Sequence, residues 1–156
     1  MRTRIFLLVL FASAISLTAQ EVKVPSKVKD AFNRLYPNVT EVKWVKEGKT
    51  EFEAEFKLNG AVVTVAMDPK GNVKETETII AKTELPKGVE EFVAQNYKGW
   101  NITESAKTVD AKGNVSFETL INKDKVKKEL IFDKNGKQVV KKEKNEKGEK
   151  EENEKD

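Results

Sequence analysis

The sequence of 156 residues contains no cysteine and no histidine. Without cysteine the chain cannot form disulfides, thiol nucleophiles or zinc–thiolate sites, so its stability must come from its apolar core. Without histidine it cannot form a Ser-His-Asp triad or offer imidazole to a metal. These absences exclude most hydrolytic and redox chemistry at neutral pH, and we expect a protein that is not an enzyme and uses no cofactor.

A long hydrophobic run is also missing. The apolar stretch at residues 5–15 is shorter than the about 20 residues that a membrane-spanning helix needs. It follows a basic start with Arg2 and Arg4 and precedes Ala19, a small residue at a suitable cleavage site. Residues 1–19 therefore read as a secretory signal peptide, with a retained N-terminal anchor as the alternative. We expect a periplasmic or secreted protein with no stable membrane insertion after cleavage.

The charge of the chain is abundant but balanced. Lysine and arginine number 29 against 26 acidic residues, a net charge of +3, and loss of Arg2 and Arg4 with the signal peptide would leave about +1. Proteins that bind nucleic acid carry clustered basic faces, and no such cluster is visible here. We therefore expect no nucleic-acid partner, and the charged residues mostly indicate a solvated surface.

The most regular part of the sequence predicts a β-hairpin. Residues 50–58 alternate strictly, with Phe52 and Phe56 on one face and Glu51, Glu53 and Glu55 on the other. A period of two indicates a half-buried strand. Asn59-Gly60 then supplies the two positive φ angles of a tight turn, and the apolar residues 61–67 form the returning strand.

A similar arrangement recurs later in the chain. Gly48 and Gly113, and likewise Phe52 and Phe117, are 65 positions apart, and upstream Pro25 is followed 61 positions later by Pro86. Such a period indicates one supersecondary unit used twice. The apolar stripes after each proline predict one helix per unit. The predicted fold is α+β, with two tandem repeats of one helix plus a four-stranded antiparallel meander at residues 20–82 and 83–142, followed by a disordered charged tail at 143–156.

The remaining polar patterns offer little specific chemistry. Paired glutamates on strand faces could in principle support acid–base catalysis, but the same alternation is what any solvent-facing strand shows. Asp68-Pro-Lys-Gly-Asn72 lacks the alternating acidic ligands of a calcium loop, and turn formation explains it. We therefore expect no metal site. Trp44 shares its strand face with Val42 and should pack inward, whereas Trp100 is either an edge-of-core residue or an interface residue.

Four segments together resemble one family. Residues 24–37 combine a proline, an amphipathic helix and Tyr36-Pro37; Val42-Lys-Trp44, residues 52–56 and residues 65–71 follow in order, the last ending in Asp-x-x-Gly. This order is similar to the PepSY-like family, also called β-lactamase-inhibitor-protein-like. The second copy is a looser match because no proline follows Tyr97. The resemblance implies tandem helix-plus-four-strand units whose sheets can join into one curved antiparallel surface, and many members of the family have no established activity.

Two classes of function remain. The first is an exported, non-enzymatic binding module, possibly a hydrolase inhibitor, that contacts another envelope or secreted protein through its sheet face and loops. The candidate binding residues are Glu51, Glu53, Glu55 and Trp100. The alternative is an envelope carrier or sensor of a small ligand, which would need an apolar pocket between helix and sheet.

Overall fold

The computed structural model describes residues 22–48 and 50–139. The predicted signal peptide (residues 1–19) and charged tail (residues 143–156) lie outside this part of the chain. Within it, no helix is long and apolar enough to cross a membrane.

The described chain contains one seven-stranded sheet in which the strands follow one another in sequence order. Every neighbouring pair is antiparallel. The strands are β1 (Lys43–Glu47), β2 (Glu51–Leu58), β3 (Ala61–Met67), β4 (Val73–Ile79), β5 (Asn101–Asp110), β6 (Val115–Lys123) and β7 (Val126–Asp133). The helices are α1 (Ser26–Leu35) and α2 (Val89–Asn96), and a short 3₁₀ turn, Lys82–Glu84, leads toward α2.

The predicted fold class is wrong in how it divides the strands. We expected two repeats, each with its own four-stranded meander, but β4 and β5 pair with each other, from Glu75 opposite Asp110 to Ile79 opposite Ala106. An unpaired edge strand exposes a row of backbone N–H and C=O groups, and this pairing satisfies them. The last strand of the second predicted repeat, expected at residues 137–142, lies partly outside the described residues, and within them Gln138 forms an isolated bridge with Phe132. One continuous sheet with two helices is therefore the architecture.

The tight turns follow from their residues. Asn59 and Gly60 join β2 to β3 with φ angles of 51° and 85°, as the sequence predicted. Three other turns share one arrangement, in which an aspartate Oδ1 accepts hydrogen bonds from the backbone N–H groups two and four residues later. The aspartates are Asp68, Asp110 and Asp133. The pKa of each carboxyl is lowered, first by the Asn72 side chain at Asp68, by the Asn114 side chain at Asp110 and by the Lys137 backbone N–H at Asp133. These turn hydrogen bonds account for the residues that might have suggested calcium loops.

Each helix packs an apolar stripe against the same face of the sheet. Val28 and Phe32 of α1 are buried with residues of β2 and β3: Phe52, Ala54, Phe56, Val63, Val65 and Met67. Val89 and Val93 of α2 are buried with Ile121, Leu130 and Phe132 of β6 and β7. Leu35, which the helical stripe placed inside, is instead 54% exposed at the end of α1. Two core clusters thus lie side by side on one face, and the other face receives neither helix.

Candidate interaction face

The strand register defines the face of the sheet that points away from both helices, which we call the acidic face. On β2 it carries Glu51, Glu53 and Glu55, because Phe52, Ala54 and Phe56 point into the core. Carried across the paired strands, the same register adds further carboxylates: Glu47, Glu75, Glu77, Glu104, Glu118 and Glu129. The lysines that share this face are Lys43, Lys57 and Lys127, and they belong to β1, β2 and β7.

The centre of the acidic face is buried. Glu77 and Glu118 are each 6% exposed, and Thr108, which lies between them, is 2% exposed. The Thr108 hydroxyl donates a hydrogen bond of 3.4 Å to Glu118 Oε1. Neither helix packs on this face. Glu77 and Glu118 are nevertheless buried, and water solvates buried carboxylates poorly.

The surroundings of Glu77 favour its protonated form. Burial first, and then the negative charges of Glu118, Glu75, Glu129 and Glu104, together raise its pKa to about 8.

Glu53 extends the same cluster to β2. Its pKa is also raised to about 8, first by burial and then by the neighbouring Glu47 carboxyl and the charges of Glu77 and Glu75. Burial and like charge thus favour the protonated forms of Glu53 and Glu77.

The structure brings together three of the four residues predicted as partner-binding. Glu51, Glu53 and Glu55 lie along β2 on the acidic face, all half-buried, and Lys43 Nζ lies 3.9 Å from Glu55 Oε1. Trp100 lies elsewhere, half-buried beside the second core cluster with its ring 6.2 Å from that of Tyr97. Trp44 packs inward as predicted, edge-on to Phe32 at 5.3 Å.

Sequence reasoning did not single out the most deeply buried carboxylates, Glu77 and Glu118. The alternation of Glu75 and Glu77 was visible, but it was read as an ordinary solvent-facing pattern. Glu118 lies in a strand with apolar or neutral residues on both faces, so its alternation carried little signal. Only the β4–β5 pairing places these residues in one cluster.

Among residues 22–48 and 50–139, no group of three or more acidic side chains has an arrangement that could hold a metal ion.

The described aromatic side chains pack closely between α1 and the sheet. Phe32, Tyr36 and Phe56 fill the space beneath α1, with ring centroids 4.7–5.2 Å apart. A groove of about 730 Å³ lies on the outer surface at the start of α2 instead, lined by Leu85, Pro86, Lys87, Gly88, Glu90, Glu91 and Ala94. Charged, exposed residues form much of this lining, unlike the apolar pocket that a carrier requires.

No family model matches the sequence, and no curated protein matches it either. Solved structures do match. A DUF2874 family protein from Bacteroides uniformis has a TM-score of 0.66 at 21% identity, with 74% of this chain and 86% of that chain covered. A BLIP-like protein from Bacteroides fragilis has a TM-score of 0.63 at 22% identity, with 79% and 88% covered. The fold is BLIP-like.

A third structure gives the same result. This structure is of a Bacteroides eggerthii protein that is proposed to be periplasmic. Its TM-score is 0.68 at 18% identity, and the match covers 75% of this chain and 86% of that chain. At these identities the likeness concerns the fold alone. The β-lactamase-inhibitor-like architecture expected from the sequence is thus confirmed, and its division into two separate units is not.

Proposed function

We propose that this protein is an exported, non-enzymatic binding module that docks another protein of the cell envelope or its surroundings on the acidic face. The observation that carries the proposal is a sheet face that receives neither helix and concentrates carboxylates from β1 to β7. Sheet faces of this size can supply the about 800 Å² per partner that a specific interface buries.

The solved structures support this reading in two ways. One is called BLIP-like, and a β-lactamase-inhibitor-like architecture is suited to binding a protein. Another is a proposed periplasmic protein, which agrees with the signal peptide expected at residues 1–19. A periplasmic location, a PepSY-like relationship and an inhibitory activity are parts of this proposal. The carrier alternative finds less support among the described residues, because Phe32, Tyr36 and Phe56 pack closely beneath α1.

The test compares two charge-reversed variants. In the first, Glu51, Glu53 and Glu55 are all replaced by lysine; in the control, the exposed acidic residues Asp30, Glu41 and Glu91 are replaced by lysine. Both variants change the net charge equally, but only the first alters the acidic face. The wild-type protein and the control should capture the same partner from an envelope extract, and the first variant should not.

Circular dichroism of all three proteins shows whether folding is intact. Equal loss of capture in both variants would mean that net charge, and not the acidic face, governs binding. Loss of capture on Trp100→Ala with no effect of the glutamate changes would place the interface on the helical side. Turnover of a substrate by the purified protein alone would refute the non-enzymatic proposal.

A further inference from the structure

The two edges of the sheet differ in what pairs with them. β7 has a neighbour on its outer side, since Gln138 forms a bridge with Phe132 and the Val139 N–H donates a hydrogen bond of 2.7 Å to the Ile131 carbonyl oxygen. β1, at the other edge, pairs with β2 alone among the described residues. An edge strand presents backbone N–H and C=O groups with which a further strand can pair. The outer side of β1 is therefore the place where the sheet can be extended.

The sequence of β1, Lys-Trp-Val-Lys-Glu, is complementary to itself in antiparallel pairing. When Val45 of one copy lies opposite Val45 of a second copy, Lys43 lies opposite Glu47. Trp44 then lies opposite Lys46, and the symmetry repeats both pairs. The β1–β2 register puts paired residues on the same face of the sheet: Lys43, Val45 and Glu47 on the acidic face, Trp44 and Lys46 on the face that carries the helices. This agreement of faces is what an antiparallel sheet requires.

Both kinds of cross-strand pair combine side chains that attract each other. Lys43 Nζ lies 3.9 Å from Glu55 Oε1, and the Lys43 side chain is 49% exposed. An ammonium group has three N–H donors, so Lys43 can keep its present contacts and also bind the Glu47 carboxylate of a second copy. On the other face, Lys46 is exposed and can lay its alkyl chain and its charge against the half-buried Trp44 ring of that copy.

The charges of β1 also favour this register over its neighbours. A shift must keep paired residues on the same face, so the next registers centre the pairing on Trp44 or on Lys46. Centring it on Lys46 sets two ammonium groups directly opposite each other. Centring it on Trp44 sets Glu47 opposite Glu41, which lies two residues before β1. Like charges directly opposite each other are destabilising, so one alignment is preferred.

We propose that a second copy of this chain pairs antiparallel with the outer edge of β1, with Val45 opposite Val45, and forms a two-fold symmetric dimer. The proposal is independent of the docking function proposed for the acidic face. Its symmetry axis is perpendicular to the sheet, so the two seven-stranded sheets join into one and both acidic faces lie on the same side.

The strength of this dimer follows from the length of β1. Pairing of five residues from each copy adds about four to six backbone hydrogen bonds. Five residues a side bury less than the about 800 Å² per partner of a standard interface. We therefore expect a dimer that forms at high protein concentration and dissociates on dilution.

Charge reversal tests the dimer and its register together. Lys43→Glu sets two carboxylates opposite each other, and Glu47→Lys sets two ammonium groups opposite each other. Each variant alone should therefore dimerise at least about 10-fold more weakly than the wild type. An equimolar mixture of the two variants restores opposite charges in both pairs and should associate about as tightly as the wild type. Sedimentation velocity of the full chain from about 1 μM to about 1 mM measures these differences.

Matched variants away from β1 separate strand pairing from general charge effects. Lys29→Glu on α1 and Glu91→Lys on α2 make the same changes of charge at exposed positions, and each alone should dimerise as the wild type does. Circular dichroism shows whether every variant is folded. A wild type that stays monomeric throughout, equal weakening by the matched variants, or a mixture of Lys43→Glu and Glu47→Lys that stays monomeric would each overturn the proposal. Self-association that Lys43→Glu and Glu47→Lys leave unchanged would place the contact elsewhere and overturn it as well.

The absence of cysteine from the chain allows a second test of the register. Val45→Cys introduces the only thiol, and in the proposed dimer the Cβ atoms of the two copies lie about 4.5–5.5 Å apart. Mild oxidation should therefore link two copies through a disulfide. Val126→Cys, at a position 59% exposed on β7, is the control and should link at least about 10-fold more slowly. Equal rates for the two variants would contradict the β1 pairing.

Discussion

Replacing Glu77 with glutamine should stabilise the protein, and increasingly so as the pH rises. In the folded state burial and the neighbouring carboxylates raise the Glu77 pKa from its ordinary 4.5 to about 8. Between these two values the folded protein keeps a proton that the unfolded chain has released. The free energy of unfolding therefore falls as pH increases through this window, and the glutamine variant lacks that loss.

The magnitude follows from the width of the window. Each pKa unit corresponds to about 1.4 kcal/mol, so Glu77 should cost about 3 kcal/mol at pH 7 and about 5 kcal/mol above pH 8. Below pH 4.5 both states are protonated and the contribution disappears. Since small domains are stable by only about 5–15 kcal/mol, an effect of this size is readily measured.

Urea unfolding at pH 5, 6, 7 and 8 measures the prediction. The difference in free energy of unfolding between Glu77→Gln and the wild type should grow across the series in favour of the variant. Glu91→Gln, on the exposed surface of α2, controls for the loss of one negative charge. A Glu77→Gln difference that stays constant from pH 5 to pH 8, or that matches the Glu91→Gln difference, would refute the assignment of Glu77 as a protonated, buried carboxyl.

Two further predictions concern stability. Phe56→Ala should lower the free energy of unfolding by about 3–5 kcal/mol, because Phe56 is only 4% exposed and packs against Phe32. Phe117→Ala should lower it less, since Phe117 is half-buried. Equal urea midpoints for the two variants would contradict this ranking. Gly71→Ala should destabilise the protein more than Gly60→Ala. Both glycines have a φ of 85°, but only at Gly71 would an added Cβ lie 2.7 Å from the Lys27 carbonyl oxygen of α1. Thermal unfolding of the two variants measures the difference.

Local features of the fold could be predicted from the sequence because they depend on neighbouring residues. The alternation of Phe52 and Phe56 with Glu53 assigns both faces of β2, and Asn59-Gly60 fixes the turn that follows. The helical stripe correctly placed Val28 and Phe32 in the core. It failed at Leu35, the last residue of α1, which is 54% exposed.

The candidate site was only partly predictable. Alternation placed Glu51, Glu53 and Glu55 on one face, but it could not reveal which carboxylates would become buried. Burial of Glu77 depends on strands from both halves of the chain, and Trp100 proved to be separated from the glutamates by the sheet itself.

The sequence by itself determined the hairpins, the two helices and the two faces of each strand, since periodicity and turn chemistry act over a few residues. Only the tertiary structure decided that β4 pairs with β5, which joins seven strands into one sheet. That pairing depends on which strand edges meet, and no local pattern specifies it. It also brings Glu77 within the influence of carboxylates on β5, β6 and β7, and burial and like charge there raise its pKa.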